Sequence, residues 1–225
     1  MLRKCIGIIS YFPDDLKIRE ERIKRFKNLL NFLNLNFKLP IVIISQNWKD
    51  FKLPEYCNKI YLYRYNSGLG ITRARITLRE ALLKLNYDYF IFLDDDSDIR
   101  GTPRGIENYL REIDVHPGMV GRFNSDWPRL LAISKSMLRI MDFDFIKDFE
   151  AGRGEIWEDS AYLITYRKLY PNKFFIFSKK EINERSPVAR RDLYSTWYKK
   201  DFGNEEKIRL RTHKIIEDWV KFKRG

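Results

Sequence analysis

The stretch FIFLDDDSDIRG, residues 90–101, sets three consecutive carboxylates, Asp94, Asp95 and Asp96, directly after an apolar run, with Asp98 two places on. The 225-residue chain is otherwise basic, with 43 Lys and Arg against 31 Asp and Glu and a formal net charge of +12. Crowded carboxylates repel one another and persist where a cation or a cationic substrate offsets them. An isolated Asp pair would read as a solvated turn capping the next segment. Here the cluster follows a strand, which shifts the reading towards metal binding.

Outward from this point, DYFIFL (88–93) is a strand apolar enough for the centre of a parallel sheet. Upstream, KCIGIIS (4–10), IVIIS (41–45) and KIYLY (59–63) are short β-branched or aromatic runs. Between them, LKIREERIKRFKNLLNFL (16–33) and ITRARITLREALLKL (71–85) repeat apolar residues at helical spacing. This βαβ-like order predicts an α/β domain that binds ligands beyond the carboxyl ends of its strands, where the acidic cluster lies. Past residue 100 the pattern loosens to a helix near GIENYLREI, strands in LLAIS and FFIFS (174–178), and a helix after Glu158. The segment from Arg185 is highly charged and ends in an amphipathic helix. The expected division is a catalytic domain over 1–180 and a basic C-terminal extension or lid over 181–225, packed on the same domain.

With 44% hydrophobic residues, 16 Phe, 13 Tyr and 5 Trp, the chain fills a core without staples, which excludes disorder. Cys5 and Cys57 are too few for a disulfide framework and lack metal-ligand spacing, so a reducing, cytoplasmic setting fits. No run approaches the roughly 20 apolar residues of a membrane span, and the N-terminal apolar stretch is shorter than a signal-peptide core. The cationic excess predicts attraction to polyanions: nucleic acid, a peripheral anionic membrane surface or phosphorylated substrates.

Spacing tests several metal-using motifs. An EF-hand loop from Asp94 needs Gly where Ile99 stands and Glu where Gly105 stands, so it fails. A phosphatase with an Asp nucleophile and a nucleotidyltransferase both use paired acids and stay open as alternatives. In YNSGLGITRAR (65–75), the third Gly of a dinucleotide fingerprint would fall at Arg73. The turn at Gly68 and Gly70, a helix N-terminus, Arg73 and Arg75 nonetheless suit an anionic or hydroxyl-rich ligand.

Read whole, YNSGLGITRARITLREALLKLNYDYFIFLDDDSD (65–98) resembles the core of the GT-A nucleotide-sugar glycosyltransferases, above all the family 2 group. Ala74 and Arg75 fall at that family's Ala-Arg positions, with Ile76 where Asn often follows. LLAISKSMLRIMDFDF (130–145) and GRGEIWEDSAYLITYRKLY (152–170) are similar to the segment before its catalytic helix and to its Glu-Asp motif. The resemblance runs from about Lys4 to Ser178. It implies a GT-A, Rossmann-like, mixed but mostly parallel sheet flanked by helices, with a basic C-terminal helical extension.

It also implies roles. Asp94 and Asp96 would form an Asp-x-Asp pair, Asp96 holding Mn²⁺ or Mg²⁺ and Asp94 contacting the ribose or the metal shell. Asp95 would fill the variable middle place and be dispensable. Asp159 would be the general base of an inverting transfer. Gly68, Gly70 and Arg75 would contact a nucleotide-sugar donor, a UDP-sugar, while Ser10, Tyr11 and Ser45 would lie near its base. His213 would supply a third metal ligand, Arg190 and Arg191 part of a lid, and Trp157 a stacking surface for an acceptor. The acceptor would be a glycan, lipid-linked or free, or a modified DNA base. A nucleic-acid or polyanion-binding protein on a degenerate transferase fold is the competing class.

Overall fold

Strands whose residues are apolar on both sides need a layer on each face, and the sheet has two. The computed structural model describes residues 2–49, 51–55, 59–124, 127–148, 158–177, 182–185 and 205–225. Its main sheet joins Lys4–Tyr11 (β1), Ile41–Gln46 (β2), Ile60–Tyr65 (β3), Tyr89–Asp94 (β4), Met119–Asn124 (β6), Trp127–Ser134 (β7) and Phe174–Ile176 (β8). The order is β3-β2-β1-β4-β7-β6-β8. Pairs β1/β2, β1/β4, β2/β3 and β6/β8 are parallel, whereas β7 runs antiparallel to both β4 and β6. The sheet is thus mixed and mostly parallel, and β4 sits at the junction instead of deep in a parallel set. A separate antiparallel pair joins Asp98–Gly101 (β5) to Ile182–Arg185 (β9).

Among the described residues six helices flank the sheet: Leu16–Asn36 (α1), Ile71–Lys84 (α2), Pro103–Val115 (α3), Lys135–Ile140 (α4), Glu158–Leu169 (α5) and Glu205–Arg224 (α6). Alternation along each strand assigns its residues to one layer or the other. Ile6, Ile8, Ile43, Ile91 and Leu93 pack with Phe26, Leu30 and Leu33 of α1 and Tyr109 and Ile113 of α3. Cys5, Ile9, Val42, Ile44, Phe90 and Phe92 pack with Leu78 and Leu82 of α2 and Tyr162 and Tyr166 of α5. Full burial of one such Leu contributes roughly 1.5–3 kcal/mol. Gly7 lets α2 lie close, because a Cβ there would meet the Leu78 and Leu82 side chains at 3.1–3.3 Å.

The last helix belongs to this second layer. Ile216 and Val220 join its core, and Trp219 stacks on Phe145 with ring centroids 5.1 Å apart. None of the described helices is long and apolar enough to cross a membrane.

Candidate functional site

The carboxyl ends of β1, β2 and β4 lie side by side, with Tyr11 opposite Gln46 and Ile9 opposite Asp94 in register. Period-two alternation then splits neighbours in sequence between the two layers. Tyr11, Gln46 and Asp94 continue the rows of Ile9, Ile44 and Phe92 on the α2 side. Ser10 and Ser45 continue the rows of Ile8 and Ile43 on the α1 side. The sequence-level expectation grouped Ser10, Tyr11 and Ser45 as one base site, but the fold separates them. Ser45 is fully buried and its hydroxyl donates to the Tyr63 carbonyl at 3.2 Å.

On the α2 side a small site assembles around the glycine turn. The Leu69 N–H donates to Gln46 Oε1 at 2.6 Å, which ties the turn to the end of β2. Gly68 lies against Tyr11, since a Cβ on it would stand 3.4 Å from the ring. Gly70 has φ of +80°, the left-handed region that glycine tolerates best, and its carbonyl accepts from Ala74 N–H to start α2. One turn into the helix, Arg75 is buried, and its Nη2 donates to Asp94 Oδ1 at 3.0 Å. The Asp94 side chain remains 57% exposed, so the pair presents its carboxylate to the edge of the sheet. Gln46 is a member of this site that sequence reasoning missed; its only signal was standing two places beyond Ile44.

On the α1 side Asp95 is enclosed. Its Oδ2 accepts from the Ser10 hydroxyl at 2.9 Å and from the Tyr11 N–H at 3.0 Å. Ser10 Oγ in turn accepts from Trp48 Nε1 at 2.9 Å. Arg22 of α1 reaches in from the side, with Nη1 3.0 Å from the Tyr11 carbonyl and 3.4 Å from Asp95 Oδ1. Its Nη2 lies 3.7 Å from Asp96 Oδ2. Burial pushes the Asp95 carboxyl up to about 6 despite the neighbouring Arg22 guanidinium, which favours the charged form. The middle acid, expected to be dispensable, is a clasp that fastens β1, β4 and α1 together.

Arg22 thus meets Asp95 and Asp96, and Arg75 meets Asp94. Asp96 keeps 17% side-chain exposure. Two accessible carboxylates, Asp94 and Asp96, fit Mg²⁺ or Mn²⁺, since such ions commonly bind through one or two carboxylates plus phosphate oxygens and water. Among the described residues no group of three His, Cys, Asp or Glu forms a metal cage. His213 lies at an exposed position of α6. Asp98 opens β5 and pairs with Arg100 at 3.0 Å on the surface. Asp159 stands in the first turn of α5; its side chain, like Trp157, Arg190 and Arg191, lies outside the described residues.

No protein-family model matches the chain, and no curated protein matches it in sequence. Solved structures match its fold. A protein described as a nucleotide-diphospho-sugar transferase from Desulfovibrio desulfuricans aligns with a TM-score of 0.53 at 12% identity, over 97% of this chain and 99% of that one. The fold is GT-A. S. aureus TarS 1-349 in complex with UDP aligns at 0.52 and 11% identity, over 97% of this chain and 71% of that one. The mannosyltransferase PcManGT from Pyrobaculum calidifontis, in complex with GDP-Man and Mn²⁺, aligns at 0.52 and 12%, over 96% and 69%. In a GT-A sheet, as in other open α/β sheets, the carboxyl ends of the strands form the ligand-binding edge. The Tyr11, Gln46, Gly70, Arg75 and Asp94 group stands on that edge.

Proposed function

We propose that the protein transfers a sugar from a nucleotide-diphosphate sugar, with UDP as nucleotide, to a hydroxyl of a glycan or a modified DNA base, inverting the anomeric centre. The observation that carries this reading is the Arg75–Asp94 pair beside the glycine turn, at the ligand edge of a GT-A sheet. The nucleotides bound by TarS and PcManGT support the donor class.

Each residue then has a task. The Tyr11 ring and the turn held by Gln46 receive the nucleoside, in place of Ser10 and Ser45, whose hydroxyls are engaged in the other layer. Arg75 orients the diphosphate through charge-assisted hydrogen bonds. Asp94 and Asp96 would hold Mn²⁺ or Mg²⁺, whose chemistry is Lewis-acid neutralisation of charge on the leaving diphosphate. Asp159 accepts the acceptor proton as the hydroxyl oxygen bonds to the anomeric carbon. The carbon–oxygen bond to the diphosphate breaks, and its electron pair leaves with the diphosphate. A helix N-terminus such as that of α5 favours a carboxylate in its first turn.

Thermal unfolding with Mn²⁺ and a panel of nucleotide sugars tests the donor site: a UDP-sugar should raise Tm, and Asp96→Ala should abolish the shift. Asp159→Asn should retain the Tm shift while transfer, followed by mass spectrometry against glycan and hydroxymethylated DNA acceptors, falls by about 10² or more. No shift with any nucleotide sugar would favour the polyanion-binding reading, and full transfer by Asp159→Asn would remove the assigned base.

A further inference from the structure

The α1 face of the same sheet edge carries a second concavity. A cleft of about 510 Å³ opens between the start of α1 and the segment after β2. Among the described residues four cations line it, Arg19, Lys27, Lys49 and Lys52, with the acid Asp14. Its apolar wall is Leu16, Ile23 and Phe51. The volume lies within the roughly 300–1,000 Å³ range of small-molecule sites.

Two of the cations are fixed in place. Arg19 Nη1 donates to the Asn47 carbonyl at 3.1 Å, and its guanidinium lies 5.9 Å from the centre of the Phe12 ring. Lys49 Nζ is 2.7 Å from Asp14 Oδ1. Asn47 braces the segment from below, with Nδ2 donating to the Phe12 carbonyl at 2.8 Å and to Asp14 Oδ1 at 3.2 Å. Lys49 has φ of +39°, a conformation that side chains other than glycine rarely adopt. The floor is a packed aromatic group in which Phe51 meets Trp48 edge-on, centroids 4.8 Å apart.

A solvated basic surface would spread its charges over convex ground. Here they line a concave site beside an apolar wall in which Leu16 is exposed, Ile23 half-buried and Phe51 buried, a combination that suits an anion joined to a less polar body. Arg19 precedes Arg22 by about one helical turn, roughly 4.5 Å along the axis, so the cleft adjoins the Asp95 and Asp96 cluster on the opposite layer from the glycine turn.

We propose that this cleft is a second binding site, for a phosphate ester whose phosphate sits among Arg19, Lys49 and Lys52 and whose apolar or sugar body lies on Leu16 and Ile23. Binding there needs neither nucleotide nor metal, so its test does not depend on the donor reading.

The test is calorimetric titration with EDTA present, using inorganic phosphate and a hexose 1-phosphate, alongside co-sedimentation with phosphatidylcholine vesicles made with and without phosphatidic acid. Saturable binding is expected. Lys49→Gly should weaken it roughly tenfold, the value of one charge-assisted hydrogen bond. That substitution suits the left-handed backbone, so Tm should hold or rise and the loss cannot be ascribed to unfolding. Asp14→Ala, which removes the carboxylate paired with Lys49, should tighten binding. Preference for the soluble ester or for the acidic vesicles identifies the source of the phosphate, and either supports the site. Absence of saturable binding to both probes overturns it, as does binding that survives unchanged in Lys49→Gly and in Lys49→Gly/Lys52→Ala.

Discussion

Asp94 and Asp95 are adjacent in sequence and differ in almost every physical respect. Asp94 ends β4 on the α2 side, 57% exposed, paired with Arg75 at the edge of the sheet. Asp95 turns to the α1 side, 5% exposed, enclosed by Ser10, Tyr11 and Arg22. One-residue parity has divided a run of identical side chains into a group available to ligands and a group that fastens the scaffold beneath them. Identity of residue type within a motif therefore says little about task; the face decides.

The sharpest way to break this contrast is to remove each acid in turn. Asp95→Ala leaves Arg22 and two donors without their buried acceptor and should cost on the order of 3–5 kcal/mol in urea unfolding. Asp94→Ala removes a half-exposed carboxylate but takes a charge-assisted hydrogen bond from the buried Arg75, and should cost less, about 1.5–3 kcal/mol, yet abolish nucleotide-dependent stabilisation. Equal losses of stability would mean that the two faces do not divide structure from binding.

A smaller effect tests the charge state. Because burial raises the Asp95 carboxyl to about 6 from an ordinary 3.8, the native state holds this proton more tightly than the unfolded chain. The cost of the ionised form is fully present above pH 6 and is relieved as pH falls through 6 towards 4. Compared with Asp95→Asn, and with a chelator present, the wild-type protein should gain on the order of 1 kcal/mol between pH 7.5 and 5. A difference that is flat with pH, or that runs the other way, would show that Asp95 titrates as an ordinary surface acid.

The smallest effect concerns the other face. Gln46→Leu removes the acceptor of the Leu69 N–H and should cost about 1 kcal/mol. Its larger consequence is a looser turn at Gly68 and Gly70, read as a weaker Tm response to nucleotide sugar. An unchanged response would exclude Gln46 from donor binding.

Much of the fold was legible because β1, β2, β4, α1 and α2 carry long periodic or continuous apolar patterns. What escaped was short and non-local. DIRG, INER and MVGRFN, the strands β5, β9 and β6, have little apolar content or are interrupted by glycine, and they exist through partners distant in sequence. The α4 turn, KSMLRI, is too short to display a period. In the site, family resemblance picked out Arg75 and Asp94, which the fold brings together. It could not separate Ser10 from Tyr11 or Ser45 from Gln46. β1 and β2 are apolar on both sides, so alternation alone does not say which parity faces the ligand edge. The clasp of Asp95 was likewise hidden, since Arg22, Ser10 and Trp48 meet it only after α1 has packed.

The hydrogen-bonded chain from Trp48 through Ser10 to Asp95 also gives the protein an internal spectroscopic probe. A proton added to Asp95 alters the acceptor strength felt by Ser10 and, through it, the indole N–H. Of the five tryptophan indole resonances in a ¹⁵N-correlated NMR spectrum, the one from Trp48 should move with pH around 6, reporting the state of a carboxyl that is almost wholly enclosed.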